Sequence, residues 1–150
     1  MMTISDVETA DRVSRRRARG LPFLAILFIL QQVSYFTGTV QDGARAVDHV
    51  RIGAWLVLTV VLLLYLATGG SWLQRRGVRA LLNDEVSRAN RHEGMRAGFL
   101  AAMIGGVLLS ALTYFDTMTG REAVHLIITV GIAAALLRFG FLERRAHRDG

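Results

Sequence analysis

Three stretches without a single charged side chain constrain this chain more than any other feature: Gly20 to Gln41, Ile52 to Gln74 and Ala97 to Phe115. Each reaches or passes the ~18 residues at which an apolar run reads as a helix long enough to cross a bilayer. A fourth run, Ala123 to Leu142, carries His125 near its start and Arg138 near its end. At ~1.5 Å per residue it covers ~30 Å of hydrocarbon, with the Arg138 stem lying along apolar surface and its head reaching the interface. Four spans is the simplest count. The apolar share of 52% and positive mean hydropathy of +0.36 agree, being high for a domain that must keep a wettable surface.

The predicted fold is all-α, a polytopic membrane protein with four transmembrane helices as two hairpins. Its orientation follows from charge. All eighteen basic residues are arginine; fifteen lie in the N-terminal arm, the middle loop and the C-terminal end, and only Arg45, Arg51 and Arg121 in the other two loops. The positive-inside rule then puts the N and C termini and the middle loop in the cytoplasm. The chain divides into a polar basic arm (1–20), a four-helix transmembrane domain (21–142) with a cytoplasmic loop at 70–96, and a basic tail (143–150). The net charge of +6 records this topology and an affinity for anionic lipid headgroups. Nucleic acid is excluded as a partner because no recognition module accompanies the charge. The absence of cysteine removes disulfides, thiolate metal sites and cysteine nucleophiles.

Local signals place the helix ends. Pro22, the only proline, is expected to open helix 1, where the first-turn amide has no partner to lose. Gly69-Gly70 is expected to stop helix 2. The linker "SWLQRRGVRALL" is amphipathic and suits the inner interface. In "NDEVSRANRHEGMR", Asn83 or Asp84 caps a helix that runs into span 3, and Asp84 and Glu85 share a face with Arg88, so solvation accounts for this most polar run. Ser34-Tyr35-Phe36 against Thr113-Tyr114-Phe115, and "GARAVDHV" against "GREAVHLI", hint at an internal duplication.

Four groups of residues could carry function. Gly98, Ala102, Gly106 and Ser110 recur every four residues and form a small-residue face suited to close helix packing, inside the bundle or between protomers in a homo-oligomer. Gln31 and Gln32 are the deepest strongly polar groups; one of them must face the bundle, bonding another helix or a quinone, lipid or solute. His49 and His125 open spans 2 and 4 at matching depth, where two imidazoles could hold haem. No Asp, Glu or Lys lies at midplane, which disfavours a proton-coupled pump. No hydrolase elbow, phosphate loop or metalloprotease helix is present, so the expectation is a non-enzyme with no catalytic residue, no metal and no resident cofactor.

The stretch "LLNDEVSRANRHEGMRAGF" resembles the middle loop of small four-span bacterial inner-membrane proteins of unknown function, in which a DE pair, an arginine and an A-G-F-like segment precede the third span. The resemblance covers residues 82–99 and the four-span layout. It implies a multi-pass protein of the bacterial cytoplasmic membrane and transfers no catalytic residue. The expected function is an accessory or assembly protein that binds lipid or a membrane partner. The alternatives are a small transporter or channel subunit, and a haem- or quinone-binding electron-transfer subunit.

Overall fold

Leucine, alanine and arginine, all strong helix formers, dominate the chain, and helix is what they build. The computed structural model describes residues 4–37, 45–70, 85–115 and 118–146. These form α1 (Ile4–Thr37), α2 (Arg45–Thr68), α3 (Glu85–Leu112) and α4 (Gly120–Ala146), with no strand among the described residues. The amphipathic linker, the Asn83 and Asp84 caps and most of the first outer loop lie outside the described residues.

α1 corrects the expectation for Pro22. The helix runs unbroken from Ile4, through the stretch expected as a polar arm, and holds Pro22 in its interior. Proline there removes one backbone hydrogen bond and crowds the preceding turn. The tertiary structure accommodates it at Gly140 of α4: a Cβ added to Gly140 would lie 2.9 Å from Pro22 Cδ and 3.0 Å from Leu21 Cβ. The bare backbone of one helix thus receives the ring of another. α2 ends at its glycine pair, Gly69 and Gly70, whose φ angles of 64° and 71° are left-handed.

α4 is the hub. It meets each of the other three helices, whereas α1 and α2 scarcely touch among the described residues. α3 and α4 form a closely packed antiparallel hairpin, but the first two helices do not pair into a second one; both lean on α4. The core is accordingly built on one face of each outer helix: Leu21, Ala25 and Phe28 from α1, Leu62 and Leu66 from α2, and Leu136 and Phe139 from α4. Glu143, expected in a solvated tail, is buried near the C-terminal end of α4.

By length and composition α3 and α4 can cross a membrane; the described apolar parts of the other two run only Arg19–Gln32 and Ile52–Thr68. By this measure the four expected spans become two. The described apolar part of each falls short of the ~18 residues that a span needs.

Candidate functional site

The two halves of the candidate site, a buried polar cluster and an apolar groove, meet on α4. The cluster begins with helix registry. Pro22 on Gly140 fixes α1 against the C-terminal half of α4, and the antiparallel run of the two helices then brings Gln32 to His125. The glutamine Oε1 only accepts, so the imidazole Nε2 donates to it. Trp55 of α2 stacks on the same imidazole, with ring centroids 4.1 Å apart and planes at 25°. Thr129, one turn along α4, donates its hydroxyl to the His125 carbonyl at 2.8 Å. Gln32, Trp55, Thr59, His125 and Thr129 are all buried. One histidine therefore ties three helices together.

This cluster carries more donors than acceptors. Gln32 Nε2 and Trp55 Nε1 have no hydrogen-bond partner, and neither does the Thr59 hydroxyl one turn further along α2. Buried polar groups are nearly always bonded, because desolvation without a partner costs about 1–3 kcal/mol each. Among the described residues these three atoms lie in neighbouring positions of the cluster.

Below the cluster lies the groove, with a volume of about 320 Å³. Thr59, Leu63 and Leu66 of α2 form one wall, Met95 and Phe99 of α3 the other, and the stretch of α4 around Gly131 the floor. None of its lining residues is charged, and Thr59 is the only one with a polar side chain. The groove exists because α3 packs so closely on α4 that α2 cannot reach across. A Cβ on Gly98 would lie 2.6 Å from the Gly131 carbonyl oxygen and 2.7 Å from Ala135 Cβ; one on Gly94 would lie 2.8 Å from Phe139 Cβ.

The small-residue face is thus displaced from where its sequence period centres it. Gly98 and Ala102 lie against α4, and the tight contact continues toward the N-terminus of α3, to Gly94. A Cβ on Gly106 would meet Ile127 Cδ1 at an ordinary 3.6 Å, and Ser110 is exposed. Glycine faces glycine at Gly98 but an isoleucine at Gly106, so the helices part toward the C-terminal end of α3.

The other expected residues separate. Gln32 is buried while Gln31 is half-buried. His125 is held by Gln32 and Trp55, and the side chain of His49 lies outside the described residues. The His49 backbone is six residues from Trp55, about 9 Å along the axis of α2, so His125 stands level with Trp55 rather than with His49. Among the described residues no three His, Asp or Glu side chains are grouped as metal ligands would be. Trp55, Thr59 and Gly94 were not singled out from sequence; the four-residue spacing of Trp55 and Thr59, which puts both on one helix face, was their only signal.

Comparison with known protein families, with curated proteins and with solved structures finds no match for this chain.

Proposed function

We propose that the chain is a multi-pass protein of the bacterial cytoplasmic membrane, a non-enzymatic accessory or assembly protein that binds a lipid in the groove beside α4. The observation that carries this reading is the outer surface of the helices. Leu30, Val57, Phe99, Ile104, Val107 and Leu108 are all exposed, part of an apolar surface far larger than soluble monomers present to water. Hydrocarbon satisfies that surface. The shorter apolar runs of α1 and α2 fit the same setting, because Gln32 directs its amide to His125 inside the bundle and residues 33–37 add no charge.

A lipid-binding role agrees with what the cluster lacks. Among the described residues it contains no carboxylate, and the Nε2 proton of its histidine, His125, is given to Gln32, so the cluster offers packing and hydrogen bonds. A haem held by His49 and His125 has less support, since the Nε2 of His125 already donates to Gln32.

The test begins with the membrane. The protein is expected to stay in the pellet after alkaline carbonate extraction, and Thr117→Cys alone among Ser5→Cys, Ser87→Cys, Thr117→Cys and Gly150→Cys is expected to label from outside intact cells. Release by carbonate removes the membrane reading, and labelling of Ser87→Cys reverses the orientation. A visible spectrum of the detergent-purified protein then separates the accessory reading, which expects none, from an electron-transfer subunit, which expects an absorbing cofactor.

A further inference from the structure

One face of α1 is spent on the bundle: Leu21, Ala25 and Phe28 are fully buried, and Gln32 bonds His125. At about 3.6 residues per turn, the face half a turn away runs Arg12, Arg16, Arg19, Phe23, Ile26 and Leu30, in alternating steps of four and three. All six are exposed, the apolar three at 64%, 52% and 61%. Because α1 is one unbroken helix, the arginines and the apolar side chains stand in a single line. No acidic residue interrupts it; Asp6, Glu8 and Asp11 all precede Arg12 in the sequence.

The line is about as long as a lipid. The apolar part of α1 begins at Arg19. Along the axis Arg16 lies about 4–5 Å beyond it and Arg12 about 10 Å, against an interfacial layer about 5–8 Å deep on each side of a bilayer. Arg19 and Arg16 therefore stand at the level of the phosphates, with Arg12 at their rim. In the other direction Leu30 is about 16 Å from Arg19, close to the ~15 Å of hydrocarbon in one leaflet.

The order of charges selects the occupant. A second copy in the same orientation would bring arginine level with arginine, and like charges set face to face oppose docking. An acidic soluble partner would meet the arginines and leave Phe23, Ile26 and Leu30 uncovered. A lipid with an anionic head satisfies both halves, since the guanidinium fork matches phosphate oxygens and an acyl chain matches the apolar steps.

We propose that this face of α1 binds an anionic glycerophospholipid, its phosphate held by Arg16 and Arg19 and an acyl chain along Phe23, Ile26 and Leu30. A head such as glycerol is preferred to choline, whose cation would lie beside the guanidinium groups. The site shares no residue with the groove. It rests on the chain lying in a membrane and not on what fills the groove.

The experiment puts a tryptophan on the stripe, Phe23→Trp, in the full-length protein in phosphatidylcholine vesicles, with Leu108→Trp on the exposed face of α3 as control. Each is titrated with phosphatidylglycerol or phosphatidylcholine brominated in the upper acyl chain, and contact is read as quenching beyond that of the wild-type protein. At Phe23→Trp the anionic lipid is expected to associate about fivefold or more above the choline lipid, the effect of one arginine at a membrane surface. At Leu108→Trp the two are expected to quench alike. Arg16→Gln with Arg19→Gln, both at exposed positions, should make the lipids equal at Phe23→Trp. Arg88→Gln with Arg145→Gln, which removes the same charge from α3 and α4, should leave the preference in place.

Equal quenching by the two lipids at Phe23→Trp overturns the proposal. So does a preference that survives loss of Arg16 and Arg19, that falls as far with Arg88 and Arg145, or that is as large at Leu108→Trp, since each traces it to the charge of the whole protein. Loss of the preference on adding glycerol phosphate or polyglutamate in the amount of the anionic lipid assigns the arginines to a soluble anion or an acidic chain. A disulfide-linked dimer through Phe23→Cys, in a chain with no other cysteine, places a second copy on the stripe. Both outcomes also overturn it. Membrane residence is decided separately by carbonate extraction, so protein that stays in the pellet and shows no preference fails on this site alone.

Discussion

Removing the Gln32 amide takes away the Oε1 acceptor to which His125 Nε2 donates in an apolar interior. Gln32→Leu is therefore expected to destabilise the protein by about 1–2 kcal/mol, and His125→Phe, which keeps a ring against Trp55 but strands the glutamine, by a similar amount. The double variant leaves no polar group stranded at this pair, so its loss should fall short of the sum of the two. The shortfall is expected at about 0.6–1.7 kcal/mol, the range of interhelical hydrogen bonds in lipid, measured by reversible unfolding in detergent. Strict additivity would mean that the two side chains do not act as a pair. That a glutamine so deep needs a partner is legible from residue type alone. Which side chain answers it is not, because Gln32 and His125 are 93 residues apart and meet only through the packing of α1 on α4.

At the scale of the element, the hairpin of α3 and α4 is where substitutions should be least tolerated. Gly98→Leu drives a side chain into the backbone carbonyl of Gly131, which cannot turn aside as a flexible side chain would. A loss of about 3 kcal/mol or more is expected from overpacking at that point. Gly106→Leu meets only the tip of Ile127 at 3.6 Å and should cost less than half as much in the same unfolding assay. Equal losses would place the closest approach elsewhere. The start of α4 carries a second, separable device that the T-x-x-E spacing from Thr119 to Glu122 encodes. Glu122 Oε2 accepts from the Thr119 amide at 2.9 Å and from its hydroxyl at 2.9 Å, while the Glu122 amide donates back to Thr119 Oγ1 at 3.3 Å. Glu122 stands ahead of the apolar run of α4, and these donors hold its carboxyl below the ordinary carboxylate range, the Thr119 amide first. A depressed folded-state value means that the box stabilises the helix above the unfolded carboxylate value and loses that contribution as pH falls through the folded one. Thr119→Ala should thus destabilise the protein near neutrality and distinctly less in acid that protonates Glu122 in the wild type. A pH-independent difference would show that the carboxylate takes no part.

Across the whole molecule, α4 is the element on which the other three depend, and α2 is held most lightly. Hydrogen exchange in detergent is expected to be slowest for the amides of 128–139 and markedly faster along α2, since lightly packed elements open at lower free energy. Exchange in α2 as slow as in α4 would require an α1–α2 interface that the described residues lack. The same imbalance explains the groove: a helix that touches α4 mainly on one face leaves a gap beside α3, and that gap is where a ligand has room.

Helical structure, the absence of a charged group from the apolar runs and the stop at Gly69-Gly70 were all determined by the sequence, because each depends on neighbours within a turn or on composition over about twenty residues. The small-residue period of α3 was equally visible, but a period specifies a face and not the point of contact. Gly98 rather than Gly106 became that point because Gly131 happens to stand opposite it, a matter of registry between two helices. Pro22 shows the same limit. By propensity it should have opened a helix; inside one, its ring packs on the bare backbone of Gly140, where a side chain would collide with it. The joining of Gln32, Trp55 and His125 into one layer, and the burial of the Thr59 hydroxyl beside an apolar groove, were decided by tertiary structure alone. Contacts of this kind join residues far apart along the chain, and no local pattern in the sequence records which helix will lie against which.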